Sequence, residues 1–156
     1  MPKKYWLIKS EPGEFSIDDL KNSPKQTTCW DGVRNYQARN FIRDEIKSGD
    51  LVLFYHSNTD PNAVVGTCVI VKEAYADYTQ FDNDNKHFFP SAKPEDPVWY
   101  MVDIKFKSKF KKPVSLDEIK ANPKLKNMRV AKRGNRLSVM PVEKNEFEEI
   151  IKISAK

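Results

Sequence analysis

The chain has 156 residues, 39% of them apolar and 31% charged, and carries a net charge of +5. This balance and length are typical of one folded domain, residues 1–156, and exclude an intrinsically disordered chain. The longest apolar runs are strand-sized, which excludes a membrane span, and the N-terminus enters a strand pattern at once, so we expect no signal peptide.

The first half of the chain alternates short strands with short helices. Residues 5–9 form an apolar run that predicts a central strand. Ser16 followed by Asp19 resembles a capping box, which predicts a short helix through Lys21. Apolar residues at helical spacing predict a second helix from near Asn35 to Lys47.

The second half predicts a hairpin, a long loop and a half-exposed strand. The predicted elements are strands at 51–56, 64–74, 99–110 and 136–142, a loop at 75–97, a capped helix beginning at Ser115 and a closing helix at 143–153. Strand 99–110 alternates, with lysines on its wet side. Short strands mixed with short helices predict an α+β domain with a curled or closed sheet surrounded by helices.

Residues 30–40, WDGVRNYQARN, concentrate side chains that suit nucleic-acid recognition. Trp30 offers a face on which a base can stack, and Asn35 and Asn40 carry both donors and acceptors for a base edge. Arg34 and Arg39 suit phosphate or ribose. Each residue also has a structural alternative: a core tryptophan, a helix-capping asparagine, and an arginine in a surface ion pair.

The positive charge is concentrated in one part of the chain. Residues 105–136 contain twelve Lys or Arg and two acidic residues, a net charge of +10, which leaves −5 for the remainder. This distribution favours a face that binds a polyanion, with a solvated lysine-rich loop as the alternative.

Metal binding and catalysis have little support in the pattern. Cys29 and Cys68 lie in apolar stretches without a CxxC spacing, which favours reduced core thiols over a disulfide or a reactive thiol. Together with His56 and His87 they match no zinc spacing, so we expect no metal and no cofactor. A small hydrolase that uses His56 with Cys29, Ser10 or Ser57 is an alternative hypothesis.

Several segments resemble the EVE-domain family, in the order of that family and over nearly the full length. They are YWLIKSEP (5–12), WDGVRNYQARN (30–40), YHS (55–57), VG (65–66), DPVWYMVD (96–103) and RLSVMPV (136–142). The resemblance implies a PUA-like fold, a curled mixed β-barrel with short peripheral helices. It also implies kinship with YTH readers of methylated adenine in RNA, which share a Lys-Ser pair (here Lys9 and Ser10) and a cage tryptophan.

The resemblance further implies a pocket for a modified base. Its residues would be Lys9, Ser10, Trp30, Asn35, Tyr36, Asn40, Tyr55, His56, Ser57, Arg136, Leu137 and Ser138. Trp99 is the candidate for a second aromatic wall, or else a plug of the barrel. The phosphate-binding set that we predict is Arg34, Arg39, Lys105, Lys107, Lys109, Lys132 and Arg133.

We therefore predict a non-enzymatic module that recognises a modified base, in particular a modified cytosine in DNA. The alternative is a module of the PUA or YTH kind that recognises a modified base in RNA, which the sequence does not separate from a DNA reader. We expect a monomer with nucleic acid as partner and without membrane association. The expected location is cytoplasmic, nucleoid-associated in a bacterium or nuclear in a eukaryote.

Overall fold

Strands form the framework of the protein. The computed structural model describes residues 3–132, 135 and 137–155. The strands are β1 (Tyr5–Ser10), β2 (Thr27–Trp30), β3 (Leu51–His56), β4 (Ala63–Ala76), β5 (Tyr100–Ser115) and β6 (Val139–Val142). The helices are α1 (Ile17–Lys21), α2 (Tyr36–Asn40), α3 (Leu116–Ala121) and α4 (Lys144–Ser154). Within this described part, no helix has the length and apolarity needed to cross a membrane.

All six strands belong to one mixed sheet, in the order β2-β5-β4-β3-β1-β6. β1 and β3 run parallel, whereas the other neighbours run antiparallel. This arrangement confirms the predicted α+β class, but the expected barrel is not closed. Over the described ranges β2 and β6 remain the two edges, and each has only four residues. The sheet therefore curls without a closing seam.

Irregular pairing between β4 and β5 bends the sheet. Their register shifts at several places, including between Val64 and Gly66, and such bulges bend a strand and increase its twist. A Cβ on Gly66 would lie 2.3 Å from the Ser108 carbonyl oxygen, so only glycine fits this close approach. The curl brings the rings of Trp30 in β2 and Phe54 in β3 to 5.7 Å, although three strand spacings of ~4.8 Å separate these strands in the sheet.

Most predicted elements are confirmed, although β5 extends to Ser115 and β6 comprises only Val139–Val142, and three larger differences occur. Both capping boxes, at Ser16 and Ser115, are present. The predicted helix 35–47 is α2 followed by a π-helical turn, Phe41–Glu45, and it ends at Ile46. β2 was not predicted at all. The predicted loop 75–97 begins instead with the end of β4 and a 3₁₀ turn, Tyr78–Phe81.

Asp77 is fully buried and anchors the loop that follows β2. Its carboxylate accepts hydrogen bonds from the Gly32 amide at 2.7 Å, from Nη1 of Arg34 at 3.1 Å and from both the amide and the hydroxyl of Thr79. Burial alone would raise the pKa of Asp77, but the bonds from Thr79, Gly32 and Arg34 outweigh burial and lower it. Asp77 therefore stays ionised and holds residues 32–34 against residues 77–79.

Gln80 ties the two ends of the following loop together. Its buried side-chain amide donates to the carbonyls of Asp77 and Trp99, each at 2.7 Å. Its oxygen accepts from the amides of Val98 and Trp99, each at 2.9 Å. Residues 77–99 therefore start and end at one buried, fully hydrogen-bonded amide.

Replacing Asp77 with Asn should destabilise the protein. It leaves the Arg34 guanidinium without its carboxylate, so we expect the free energy of unfolding at pH 7 to fall by about 3 kcal/mol. Because the fold lowers the pKa of Asp77, the wild-type advantage is present above the unfolded value of about 3.9 and is lost as pH falls through the folded pKa. Urea denaturation over a series of pH values measures both effects.

Asp18→Asn is the matched control, because Asp18 pairs with Lys109 on the surface. We expect it to change the free energy of unfolding by less than about 0.5 kcal/mol. An Asp77→Asn protein as stable as the wild type at pH 7 would contradict the anchoring role of Asp77.

Candidate functional site

A cleft of ≈ 950 Å³ opens where the curled sheet brings the ends of β1 and β2 together. Its described lining residues are Lys9, Ser10, Glu11, Glu14, Phe15, Thr28, Cys29, Trp30, Asp31, Gly32, Val33, Ser57, Tyr78, Lys86, His87 and Ser138. The lining therefore mixes aromatic rings, hydroxyls and charged groups.

Trp30 forms an aromatic wall of this cleft. The indole is partly exposed and meets the rings of Phe15 and Phe54 edge-on, at centroid distances of 6.1 and 5.7 Å. Edge-to-face contacts are a preferred geometry for aromatic pairs and fix the orientation of the ring. The residue is thus neither a fully buried core tryptophan nor a free surface side chain.

The cleft is partly screened from water. Burial lowers the pKa of the Lys9 amine and raises the pKa of the Asp31 carboxyl, and the charge of Asp77 raises the latter further. Both shifts disfavour the charged form, as expected for groups with incomplete hydration. Hydrogen bonds formed in such a place are stronger than hydrogen bonds on an open surface.

Five residues of the predicted base pocket line this cleft, and six do not. Those that line it are Lys9, Ser10, Trp30, Ser57 and Ser138. Those that lie elsewhere are Asn35, Tyr36, Asn40, Tyr55, His56 and Leu137. Arg136 lies outside the described residues, as does Arg133 of the predicted phosphate-binding set.

The residues outside the cleft have structural partners. Asn35 caps α2 through a bond from the Ala38 amide at 2.9 Å, which is the alternative that the sequence left open. Nε2 of His56 accepts from the Ile17 amide at 3.1 Å and so supports the start of α1. Asn40 accepts from Nε of Arg39 at 2.9 Å.

Tyr55 and Leu137 are buried apolar contributors to the core. Tyr36 is 55% exposed, and its ring lies 4.8 Å from that of Trp99. Trp99 itself is 2% exposed and does not line the cleft; it packs against the rings of Tyr36 and Phe89 and the guanidinium of Arg34.

The two arginines of the 30–40 segment bind the protein itself. Arg34 donates to Asp77, to Thr79 and twice to the His87 carbonyl. Because these bonds occupy its guanidinium, we reassign Arg34 from the predicted phosphate contact to a structural role. Arg39 donates to the Val98 carbonyl at 2.8 Å and lies over the Tyr36 ring, so it too is largely engaged.

The predicted lysines of β5 are exposed, as the alternation of the strand indicated, but they do not line the cleft. Lys109 forms an ion pair with Asp18 at 2.8 Å, and Lys105 and Lys107 project from the wet side of the strand. Their use by a ligand stays a prediction.

A second groove of ≈ 560 Å³ shares Lys9 and Ser57 with the cleft. Its other described lining residues are Tyr55, Asn58, Asn62, Leu116, Lys120, Val130, Ala131, Lys132 and Asn135. No acidic side chain occurs among these described lining residues, whereas three lysines and three asparagines do. The groove therefore suits an anion that continues from the cleft.

The sequence reasoning missed the wall formed by Tyr78, Lys86 and His87. The 77–87 segment lies in the long loop that the sequence predicts, but no sequence pattern indicated which of its residues would face the cleft. Glycine at position 32 allows His87 to approach the chain closely. A Cβ there would lie 2.6 Å from Nε2 of His87, and the φ of +78° at this residue is one that favours glycine. Asp31 was also missed, although it directly follows Trp30.

Nucleophile and base are not assembled in the described part of the chain. Burial, Asp31 and Asp103 raise the pKa of the Cys29 thiol, which keeps it protonated. The Ser10 hydroxyl donates to the Phe15 carbonyl, and Nε2 of His56 is occupied by Ile17. Over the same residues, no group of three or more His, Cys, Asp or Glu is arranged to hold a metal ion.

Comparison with known proteins gives matches over nearly the whole chain. Thymocyte nuclear protein 1 of Mus musculus is 47% identical over an alignment of 166 residues including gaps, which covers 96% of this chain and 73% of that protein. A crystal structure of human THYN1 protein in complex with 5-methylcytosine containing DNA is 44% identical, covers 99% of each chain and has a TM-score of 0.92.

A more distant structure shares the fold alone. The YTH domain of Zygosaccharomyces rouxii MRB1 protein, in complex with N6-methyladenosine RNA, has a TM-score of 0.54 at 13% identity and covers 97% of this chain and 86% of that one. The EVE domain matches residues 4–153. With the whole curled sheet and the cleft inside this match, the chain belongs to the EVE-domain family.

Proposed function

We propose that the protein is a non-enzymatic reader of a modified cytosine in DNA and that the base enters the cleft beside Trp30. The observation that carries this proposal is a partly exposed indole, held edge-on by Phe15 and Phe54, on the wall of the cleft. The human relative crystallised with 5-methylcytosine containing DNA supports the choice of base and of nucleic acid.

The physical logic is that of an extruded base. Removing a base from a duplex costs a few kcal/mol, and the pocket must supply at least as much. Stacking on Trp30 contributes about 1–3 kcal/mol, and hydrogen bonds to the base edge add to this. A methyl group that fills a snug pocket adds about 1–3 kcal/mol of discrimination.

The second groove offers a path for the sugar-phosphate backbone next to the base. Lys9 lies on both surfaces, and Lys120 and Lys132 line the groove, so phosphates beside the base would meet three cations and amide donors. Contacts of this kind position the strand and are independent of sequence. The exposed lysines of β5 remain an alternative phosphate-binding surface.

The remaining predictions receive unequal support. The RNA alternative rests on the YTH similarity, which at 13% identity concerns the fold only. A non-enzymatic role agrees with the protonated Cys29 thiol and the occupied His56 nitrogen. Relatives named as nuclear proteins favour the nuclear form of the predicted location in a eukaryotic host. A monomeric, single-domain chain without metal or cofactor stays a prediction.

Trp30→Ala should abolish the preference for a modified base. Losing the stacking face lowers affinity for an oligonucleotide with one 5-methylcytosine by about 10-fold to 100-fold, to the level of the unmodified oligonucleotide. Trp30→Phe keeps a smaller face and should retain part of the preference. Fluorescence anisotropy titrations of matched oligonucleotides measure the ratio of affinities.

Phe88→Ala is the control, since Phe88 is an aromatic residue 39% exposed outside the cleft. It should leave the affinity ratio unchanged. A folded Trp30→Ala protein that discriminates as well as the wild type would show that the base binds elsewhere.

The phosphate path is tested by two double variants that each remove two charges. Lys120→Gln with Lys132→Gln should weaken binding to modified and unmodified strands alike and reduce the slope of log K against log salt by roughly 1.4 for single strands. Lys105→Gln with Lys107→Gln, on β5, should reduce the slope less. The proposed path is wrong if the groove variant keeps the wild-type slope.

A further inference from the structure

Asp31 lines the cleft directly after the stacking residue Trp30. Its side chain is half-buried, and within residues 3–132, 135 and 137–155 no other side chain donates a hydrogen bond to its carboxylate. An ionised carboxylate has room for about four hydrogen bonds. Asp31 is therefore a strong acceptor with unused capacity on the lining of the same cleft as Trp30.

We propose that Asp31 accepts a hydrogen bond from the exocyclic amino group of the bound base and thereby selects 4-aminopyrimidines over thymine and uracil. This inference rests on the proposed function, because it requires a base against Trp30. It assigns to one residue the discrimination between an amino and a keto base, which stacking alone does not provide.

The chemistry of the two pyrimidine edges explains the selection. Cytosine presents an N4 amino donor, whereas thymine presents the O4 acceptor at the same position. An ionised carboxylate only accepts, so it bonds the amino group and repels the keto oxygen. The 5-methyl group does not enter this contact and is read separately by shape.

The other acidic residues near the cleft are less suited to this role. Glu14 is 66% exposed and pairs with Lys86 at 3.5 Å, and the Glu11 carboxylate accepts from the Asn58 side chain. Asp77 is fully buried and already accepts four hydrogen bonds. Asp31 combines partial burial, a position beside Trp30 and unused acceptor capacity.

The electrostatic surroundings support the same assignment. Burial first, and then the nearby charge of Asp77, raise the pKa of Asp31, while His87 and Arg34 oppose the rise. The ionised carboxylate is thus short of stabilising donors in the free protein. An amino group delivered by the base supplies one of them.

The test compares single-stranded oligonucleotides that carry either 5-methylcytosine or thymine at one position. Both bases have the same ring and the same 5-methyl group, and they differ at position 4 and in the protonation of N3. The wild type should bind the 5-methylcytosine strand about 10-fold to 100-fold more tightly, as expected for a hydrogen bond to a charged group. Single strands remove differences in the cost of base extrusion.

In Asp31→Asn an amide that both donates and accepts replaces the carboxylate, and the ratio should fall below about 3-fold. Asp18→Asn is the matched control, because it makes the same substitution at an exposed acid outside the cleft, and it should keep the wild-type ratio. Thermal unfolding checks that Asp31→Asn is folded. The comparison of the 5-methylcytosine and thymine strands with the wild-type protein needs no variant.

The outcomes separate this inference from the proposed function. A wild type that binds 5-methylcytosine and thymine strands equally overturns the role of Asp31, as does a folded Asp31→Asn protein with the wild-type ratio. In either case a preference for 5-methylcytosine over cytosine that depends on Trp30 would leave the proposed function intact. A wild type without preference for 5-methylcytosine over cytosine overturns the proposed function, whereas a preference for the amino base over thymine that Asp31→Asn removes would still support the role of Asp31.

Discussion

The contact between Trp30 and Phe54 across the curled sheet is the constraint on which the cleft depends. The two residues belong to strands separated by two others, and they meet because the bulges between β4 and β5 bend the sheet. The curl turns an edge strand into a wall facing the end of β1. Trp30 itself stays partly exposed on the lining of the cleft.

A buried polar network keeps that wall in place. Asp77 binds the Gly32 amide and Arg34, and Gln80 binds both ends of the loop that supplies the facing wall. Satisfied buried networks of this kind rigidify a structure, whereas the loss of one member leaves the others without partners. Stability and function are therefore linked here, because the bonds that order residues 32–34 also hold the part of the cleft lining that a ligand would contact.

The sequence predicted the fold well and the site in part, and the difference has a physical cause. Local signals such as the Ser16 and Ser115 capping boxes act within a few residues, so they can be read from the chain. The four-residue β2 has no such signal, because it depends on pairing with β5. Arg34 looked like a phosphate ligand because its partner Asp77 lies 43 residues away. His87 and Asp31 reach the cleft only through this long-range packing.

The indole NMR signals of the three tryptophans test the central claim most directly. Trp6 and Trp99 are at most 2% exposed, whereas Trp30 is partly exposed on the cleft wall. During titration of ¹⁵N-labelled protein with a single-stranded oligonucleotide carrying 5-methylcytosine, the Trp30 indole N–H signal should shift and saturate with binding, while that of Trp6 stays in place. Binding that saturates with no shift of the Trp30 signal would contradict the account.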